Sequence, residues 1–301
     1  ATTADNNVAI GKSAMENVTS GSNNVAIGKE ALDANTTADN NTAIGRAALG
    51  ANTTGTDNVA VGTNTLKTAT TATRNTAVGM DSMQALTTGS YNTGCGERTL
   101  YADTTGTENT ALGYLALDAC TTGSYNVGLG VNALGSVTTA NYNTAIGTGA
   151  MISATTGALN VAIGPFAGDG LTTASQNIAI GYNALSSAAL SVATGSSNTA
   201  VGDVSLNNHT SGDNNVAVGA SSLNANTTAS NNTAMGTAAM YANTTGYSNV
   251  AVGSDAMQQN TTGYQNTSVG KNSFDANTTG VANTAMGFGA LGANTTANYN
   301  T

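Results

Sequence analysis

The chain has 301 residues, with 37 glycines, one proline, one histidine, two cysteines, 8% charged residues and a formal net charge of −9. Seven Lys and Arg against 16 Asp and Glu leave no basic face for phosphates, which argues against a nucleic-acid partner. The lone His209 and the separated Cys95 and Cys120 argue against a zinc site, and no apolar run approaches the ~20 residues of a membrane span.

From its first residues the sequence repeats. The pentapeptide Asn-[Thr/Val]-Ala-[Ile/Val]-Gly ends at Gly11, Gly28, Gly45 and Gly62, and so on to Gly287, always at 17-residue intervals except for 21 between Gly181 and Gly202. Residues 1–301 therefore read as one array of seventeen repeats with a four-residue insertion within 186–197.

Within a repeat, the residue three before the glycine is β-branched (Val8, Thr42, Ile178). The residue two before it is small, and the residue one before is apolar (Ile10, Val61, Leu112, Cys95). This alternation and its glycine boundary predict a short strand. Four residues after the glycine comes Leu or Met, except at Phe274 and Gly168, and eight and nine after comes a Thr-Thr pair such as Thr53 and Thr54. A helix would be penalised by the recurrent Gly and β-branched residues. Each repeat is expected to be one coil made of strand, corner, short second strand and corner. The fold class is all-β, a parallel β-solenoid or β-roll of 17-residue coils. Stacking places like residues in ladders ~4.8 Å apart, so the coils would form a rod about 80 Å long.

The columns then acquire expected roles. The residues one and three before the glycine share a face and, with the Leu/Met column, would supply about three large apolar groups per coil to a thin core stabilised by its neighbours. An Asn ladder (Asn7, Asn24, Asn41, Asn58, Asn75, Asn92, Asn109, Asn126, Asn143, Asn160) would sit at a corner, its amides satisfying backbone groups. The small column (Ala9, Ala26, Ala43, Gly94, Gly128, Ala145) would lie on the opposite strand face. Something must pack closely on it, either a neighbouring copy of the chain or an internal fit within the coil.

The motif Asn-Val-Ala-Ile-Gly at 7–11 and 24–28 resembles the head repeat of trimeric autotransporter adhesins. The longer unit Asn-Thr-Ala-[Val/Ile]-Gly-x-x-Ala-Leu-x-x-Asn-Thr-Thr-Gly is similar to repeats of phage tail-fibre and bacterial surface proteins, many of which end in an endosialidase-type chaperone. The resemblance implies left-handed β-rolls with three chains about a common axis, and it would place the small column near that axis. The period of 17 is longer than the adhesin unit, and no stalk, anchor or chaperone segment is evident. With no capping unit at either end, the chain is expected to be a segment of a longer one.

Other constellations are weaker. Carboxylates such as Asp5, Asp39, Asp57 and Glu108 form no stacked column, so no enzymatic activity, metal or cofactor is expected. His209 reads as a surface corner substitution, and Cys95 and Cys120 as unpaired thiols, with Cys95 in the core. Tyr125 with Tyr142, and Tyr247 with Tyr264, occupy consecutive coils and should stack on the surface, either as corner packing or as a binding surface for sugars or proteins. Sequons such as Asn35 and Asn243 follow from the repeat. Phe166 is expected to fill the space left by Gly168, and the insertion with Leu190 and Val192 to form a local bulge suited to a specialised site or a bend.

The expected function is an extracellular structural fibre segment of adhesin or tail-fibre type, at a cell surface or on a virion, that spaces or presents a binding tip. Its partners would be itself, as a homotrimer or filament, and a cell-surface glycan or host surface, without membrane insertion. The alternative is a monomeric solenoid that binds ice or polysaccharide through a Thr/Tyr ladder.

Overall fold

The structure is a computed structural model that describes residues 3–186 and 193–301. The chain is a parallel β-solenoid of 17-residue coils, divided into two compact units, Ala1–Gly149 and Ala150–Thr301. Nine three-residue strands run through the first unit from Val8–Ile10 to Thr144–Ile146, and eight through the second from Val161–Ile163 to Thr284–Met286. Successive strands pair in parallel with like residues opposed: Val8 with Val25, Ala9 with Ala26 and Ile10 with Ile27 in the first unit, Val161 with Ile178 in the second.

Each coil contains one strand; the expected second strand is absent among the described residues. The reason is a pair of left-handed residues after the glycine, such as Glu30 (φ 59°) and Leu32 (φ 49°), which turn the chain out of β geometry. The turning segment still hydrogen-bonds from coil to coil. Leu32 N donates to Ala48 O at 3.0 Å, and Asn40 N to Ser22 O at 3.1 Å. The left-handed conformation also explains the Leu/Met column. Across the repeats it holds Leu, Met, Phe274 or Gly168 and never Val or Ile, because a β-branched side chain is a steric outlier at positive φ. The repeat glycine is required for two reasons. At Gly62 φ is 137°, and a Cβ there would stand 2.6 Å from the carbonyl oxygen of Gly79 in the next coil.

The strand faces the opposite way from the expectation. Ala26, Ala43 and Ala60 are fully buried, while Ile27 and Ile44 beside them are 36% and 38% exposed. The small column lines the interior of its own coil and packs against the residues three after the glycine. Ser268 Oγ, in the small column, donates to Ser273 O at 2.8 Å. A Cβ on Gly94 would come within 2.9 Å of Met83 Cε and Ser82 Oγ. The interchain role expected for Ala26, Ala43, Gly94, Gly128 and Ala145 is therefore corrected: these positions are buried within a single chain, because the coil is too narrow for anything larger. Ala9, in the first coil, is exposed.

The core accordingly holds one large apolar side chain in most coils, such as Leu32, Leu49 or Leu66, and two in a few, such as Met83 with Leu86 and Leu134 with Val137, instead of three. One buried Leu contributes roughly 2–3 kcal/mol. Ordering a residue costs at least ~1 kcal/mol, so a 17-residue coil cannot stand alone. It depends on its neighbours, as the repeat architecture requires.

The described residues flank the insertion on both sides. A Cβ on Gly168 would lie 3.0 Å from Leu171 Cδ1 and 3.2 Å from Met151 Cγ, so Leu171 and Met151 occupy the space. Phe166 does not fill it, being 40% exposed. The strands Ile178–Ile180 and Thr199–Val201 keep their register across the longer interval. The bulge expected around Leu190 and Val192 lies outside the described residues.

Candidate functional site

The Asn ladder is a buried chain of amides. Asn92 Nδ2 donates to Asn75 Oδ1 at 3.2 Å and to Gly106 O at 2.8 Å, while Asn92 Oδ1 accepts from Asn109 N at 2.9 Å and Asn109 Nδ2 at 3.2 Å. Asn24, Asn41, Asn58, Asn75, Asn109, Asn126, Asn143 and Asn160 are likewise fully or almost fully buried, and Asn7 is half-buried. With donor and acceptor capacity used inside the coil, these residues bind the next coil and nothing outside it.

Among the described residues a second interior column stands seven residues after most of the repeat glycines, from Asn35 to Asn277. Asn52 is typical: its Oδ1 accepts from Gly55 N at 3.1 Å and its Nδ2 donates to Gly55 O at 2.9 Å, closing a turn. In the second unit Asn226, Asn243, Asn260 and Asn277 are also linked to one another, at 3.2, 2.8 and 2.7 Å. The sequons built on Asn35 and Asn243 are therefore closed to modification in the folded chain, since both amides are fully buried. The sequence displays this column plainly, just before the Thr pair, but carries no mark that it points inward.

The exceptions in this column are the ionisable residues. Asp103 is fully buried; its Oδ1 accepts from Gly106 N at 2.8 Å and its Oδ2 has no partner. Burial pushes its carboxyl up to about 7, against the opposing pull of the Gly106, Thr104 and Thr105 N–H groups. Cys120, one coil further, is buried with Sγ 3.6 Å from Gly123 O, and burial followed by the Asp103 charge pushes its thiol up to about 12. Cys95, expected in the core, is instead exposed on the outer strand face, and both thiols are free. His209 is not at the surface. It is fully buried, with Nε2 3.3 Å from Asn198 Nδ2 and Nδ1 unpartnered, and burial lowers its pKa to about 4. Gly195 makes room for the ring, since a Cβ there would lie 2.3 Å from Nε2.

The outer surface divides by column. Tyr125 and Tyr142 stack at 4.8 Å between centroids and 5° between planes; Tyr247 and Tyr264 do so at 4.7 Å and 7°. In the same corner column as Tyr125, Arg74 lies 5.4 Å from the Tyr91 ring centroid and 4.0 Å from Asp57 Oδ2, and the Glu108 charge pushes the Tyr125 phenol up. Stacking covers one face of each ring and leaves the outer face, the edges and the hydroxyl for contact. Of each Thr pair, one hydroxyl turns back to the next coil, as in Thr53 Oγ1 to Thr70 O at 3.1 Å, and the other, such as Thr54, is exposed. An open notch of ≈ 300 Å³ lies over Ala47 and Gly50, between Glu30, Asp33 and Lys67. No group of three or more His, Cys, Asp or Glu suited to a metal ion occurs among the described residues, and no described helix is long and apolar enough to cross a membrane.

No known protein family, curated protein or solved structure matches the chain.

Proposed function

We propose that the chain is a structural segment of an extracellular fibre, of adhesin or tail-fibre type, that spaces or presents a binding tip at a cell surface or on a virion. Its copies associate with one another, three about an axis in the arrangement that the sequence resemblance implies, and the assembled fibre meets a host surface or glycan through avidity. One observation carries this reading: the ladder amides, such as Asn75, Asn92 and Asn109, are buried and bond from coil to coil. Such a design extends by repetition and leaves its chemistry inside. Antibodies against the purified chain should label fibres on intact cells or particles in electron microscopy. Labelling found only inside cells, after permeabilisation, would sink the proposal.

The second reading, a monomeric solenoid that binds ice or polysaccharide, is favoured by the exposed hydroxyl rank that includes Thr37, Thr54 and Thr71. Thermal hysteresis in the purified chain would support it, and ordinary freezing behaviour together with no retention on polysaccharide would reject it.

A further inference from the structure

The notch over Ala47 and Gly50 exists because one coil has lost its outer side chains. The column five residues after the glycine holds Asp33 in the preceding coil, Gly50 at the notch and Lys67 in the following coil. The column two after the glycine holds Glu30, Ala47 and Asn64 in the same three coils. Where its neighbours present charged or polar groups, the middle coil presents a methyl group and bare backbone, with Ala51 beside them. The result is a hollow of ≈ 300 Å³ with an apolar floor and walls of opposite charge. Its size and its few polar groups suit a small ligand.

The two walls leave their charges uncompensated. Asp33 and Lys67 both line the notch, yet neither forms an ion pair with the other or with any described residue. Asp33 Oδ1 is withdrawn from water and has no hydrogen-bond partner. Burial, followed by the charges of Glu16 and Glu30, pushes the Asp33 carboxyl up, as expected of a negative charge without a counter-ion. In the following coil Asn64 Nδ2 donates to Asp81 Oδ1 at 3.0 Å, and Asn64 Oδ1 is buried without a partner. Both orphaned atoms are acceptors, so the group missing between these coils is a donor. Glu30 adds a second carboxylate, 3.1 Å from Lys29.

We infer that this notch binds an ω-amino acid group, an ammonium and a carboxylate joined by a short aliphatic stem, either free or as the carboxy-terminal lysine of a polypeptide. The ammonium sits at Asp33 and Glu30, the stem crosses Ala47, Gly50 and Ala51, and the carboxylate meets the Lys67 ammonium. Asp33 and Lys67 stand two coils apart, ~10 Å between backbones, a gap that such a stem can bridge. A ligand with one charge serves the site less well, since a plain amine leaves Lys67 unpaired and a plain carboxylate leaves Asp33 so. The same column has another gap at Gly135. There Asp118 is already offset by the Arg98 charge and the following residue is Ile152, so no opposite charge completes a site. The inference concerns a single chain and is independent of the fibre reading.

Isothermal titration calorimetry of the full chain with ε-aminocaproate tests this. The probe should saturate a single site per chain, and n-pentylamine and hexanoate, which carry one charge each, should bind at least tenfold more weakly. Asp33→Asn and Lys67→Gln should each weaken the probe at least tenfold. Gly50→Gln should abolish binding by filling the notch. Glutamine already occupies that column at Gln84, and a Cβ on Gly50 would meet ordinary contacts, 3.4 Å from Ala47 O and Glu30 O, so the circular dichroism spectrum should not change. Asp275→Asn, in the same column of the second unit, should bind as the unaltered chain does. No saturable heat at millimolar probe, retained binding in Gly50→Gln, or equal affinity for either singly charged probe would overturn the inference. Should Gly50→Gln unfold, the two charge variants decide, and unchanged binding in both would overturn it. A peptide ending in lysine that binds while its amidated form does not would identify a polypeptide terminus as the ligand. Binding of the free probe with exclusion of that peptide would identify a free ω-amino acid.

Discussion

The two units wind the same coil but fill one interior column differently. In Ala150–Thr301 that column holds Leu171 and His209 and then the linked amides Asn226, Asn243, Asn260 and Asn277. In Ala1–Gly149 it holds Asn35 and Asn52 and then Ala69, Leu86, Asp103, Cys120 and Val137. An amide that closes its own turn and an apolar side chain both occur there, because neither adds a buried side-chain group without a partner. An ionisable residue is not equivalent to either. Asp103 in the first unit and His209 in the second titrate below pH 8, and the two do so in opposite senses.

The largest expected effect is at Asp103. Its folded pKa is raised from 3.8 to about 7, so its contribution to stability is complete below pH 3.8 and is lost as pH rises towards 7. The loss amounts to about 4 kcal/mol of local stability. Asp103→Asn supplies the donor that Asn52 uses towards its turn carbonyl. It should abolish this loss, read as hydrogen-exchange protection around residues 100–110 at pH 5 and pH 8; equal slopes in both proteins would refute the assignment. His209 provides the mirror case in the second unit. Its pKa is lowered from 6.5 to about 4, so its unit is fully stable above pH 6.5 and loses about 3 kcal/mol as pH falls to 4. His209→Asn should flatten that acid limb in urea unfolding monitored at pH 4.5 and pH 7. An unchanged limb would place the acid sensitivity elsewhere.

A smaller effect separates the amide ladder from the apolar stretch. Asn260→Leu removes both links of the ladder at that coil, the bond its Nδ2 donates to Asn243 Oδ1 and the bond its Oδ1 accepts from Asn277 Nδ2, and should cost roughly 2 kcal/mol. Leu86→Asn, which can close its own turn with Gly89, should cost less. If the two changes shift the urea midpoint equally, the column does not discriminate as described. The smallest effect should not distinguish the units at all. Thr53→Val and Thr244→Val each remove one hydroxyl bond to the next coil, at 3.1 Å in both cases, and should cost about 1 kcal/mol apiece. A marked inequality would show that the units differ in more than one column.

Much of this architecture was legible in the chain. The glycine phase located every strand, because a close backbone approach and a φ near 137°, seen at Gly62, exclude other residues. The stacking of Tyr125 on Tyr142 followed from their separation of 17 residues, since a solenoid turns sequence period into vertical neighbourhood. The candidate surface was harder to read. His209 and Asn35 look like polar corner residues, and whether a corner side chain turns in or out depends on left-handed dihedrals that residue identity only hints at.

The 8% charge and the 17-residue period were enough to specify a parallel coil, its strands and its ladders, because repetition and alternation are properties of the chain. Which side of the strand faces inward was settled only by closing the coil. Alternation says that Ala43 and Ile44 point to opposite sides, and both sides were free of charge, so burial by either was consistent with the pattern. The interior width decided it. With Leu49, Ala48 and the Asn41 amide already inside, there is room opposite for a methyl group and no more, and the large aliphatic side chains are left outside.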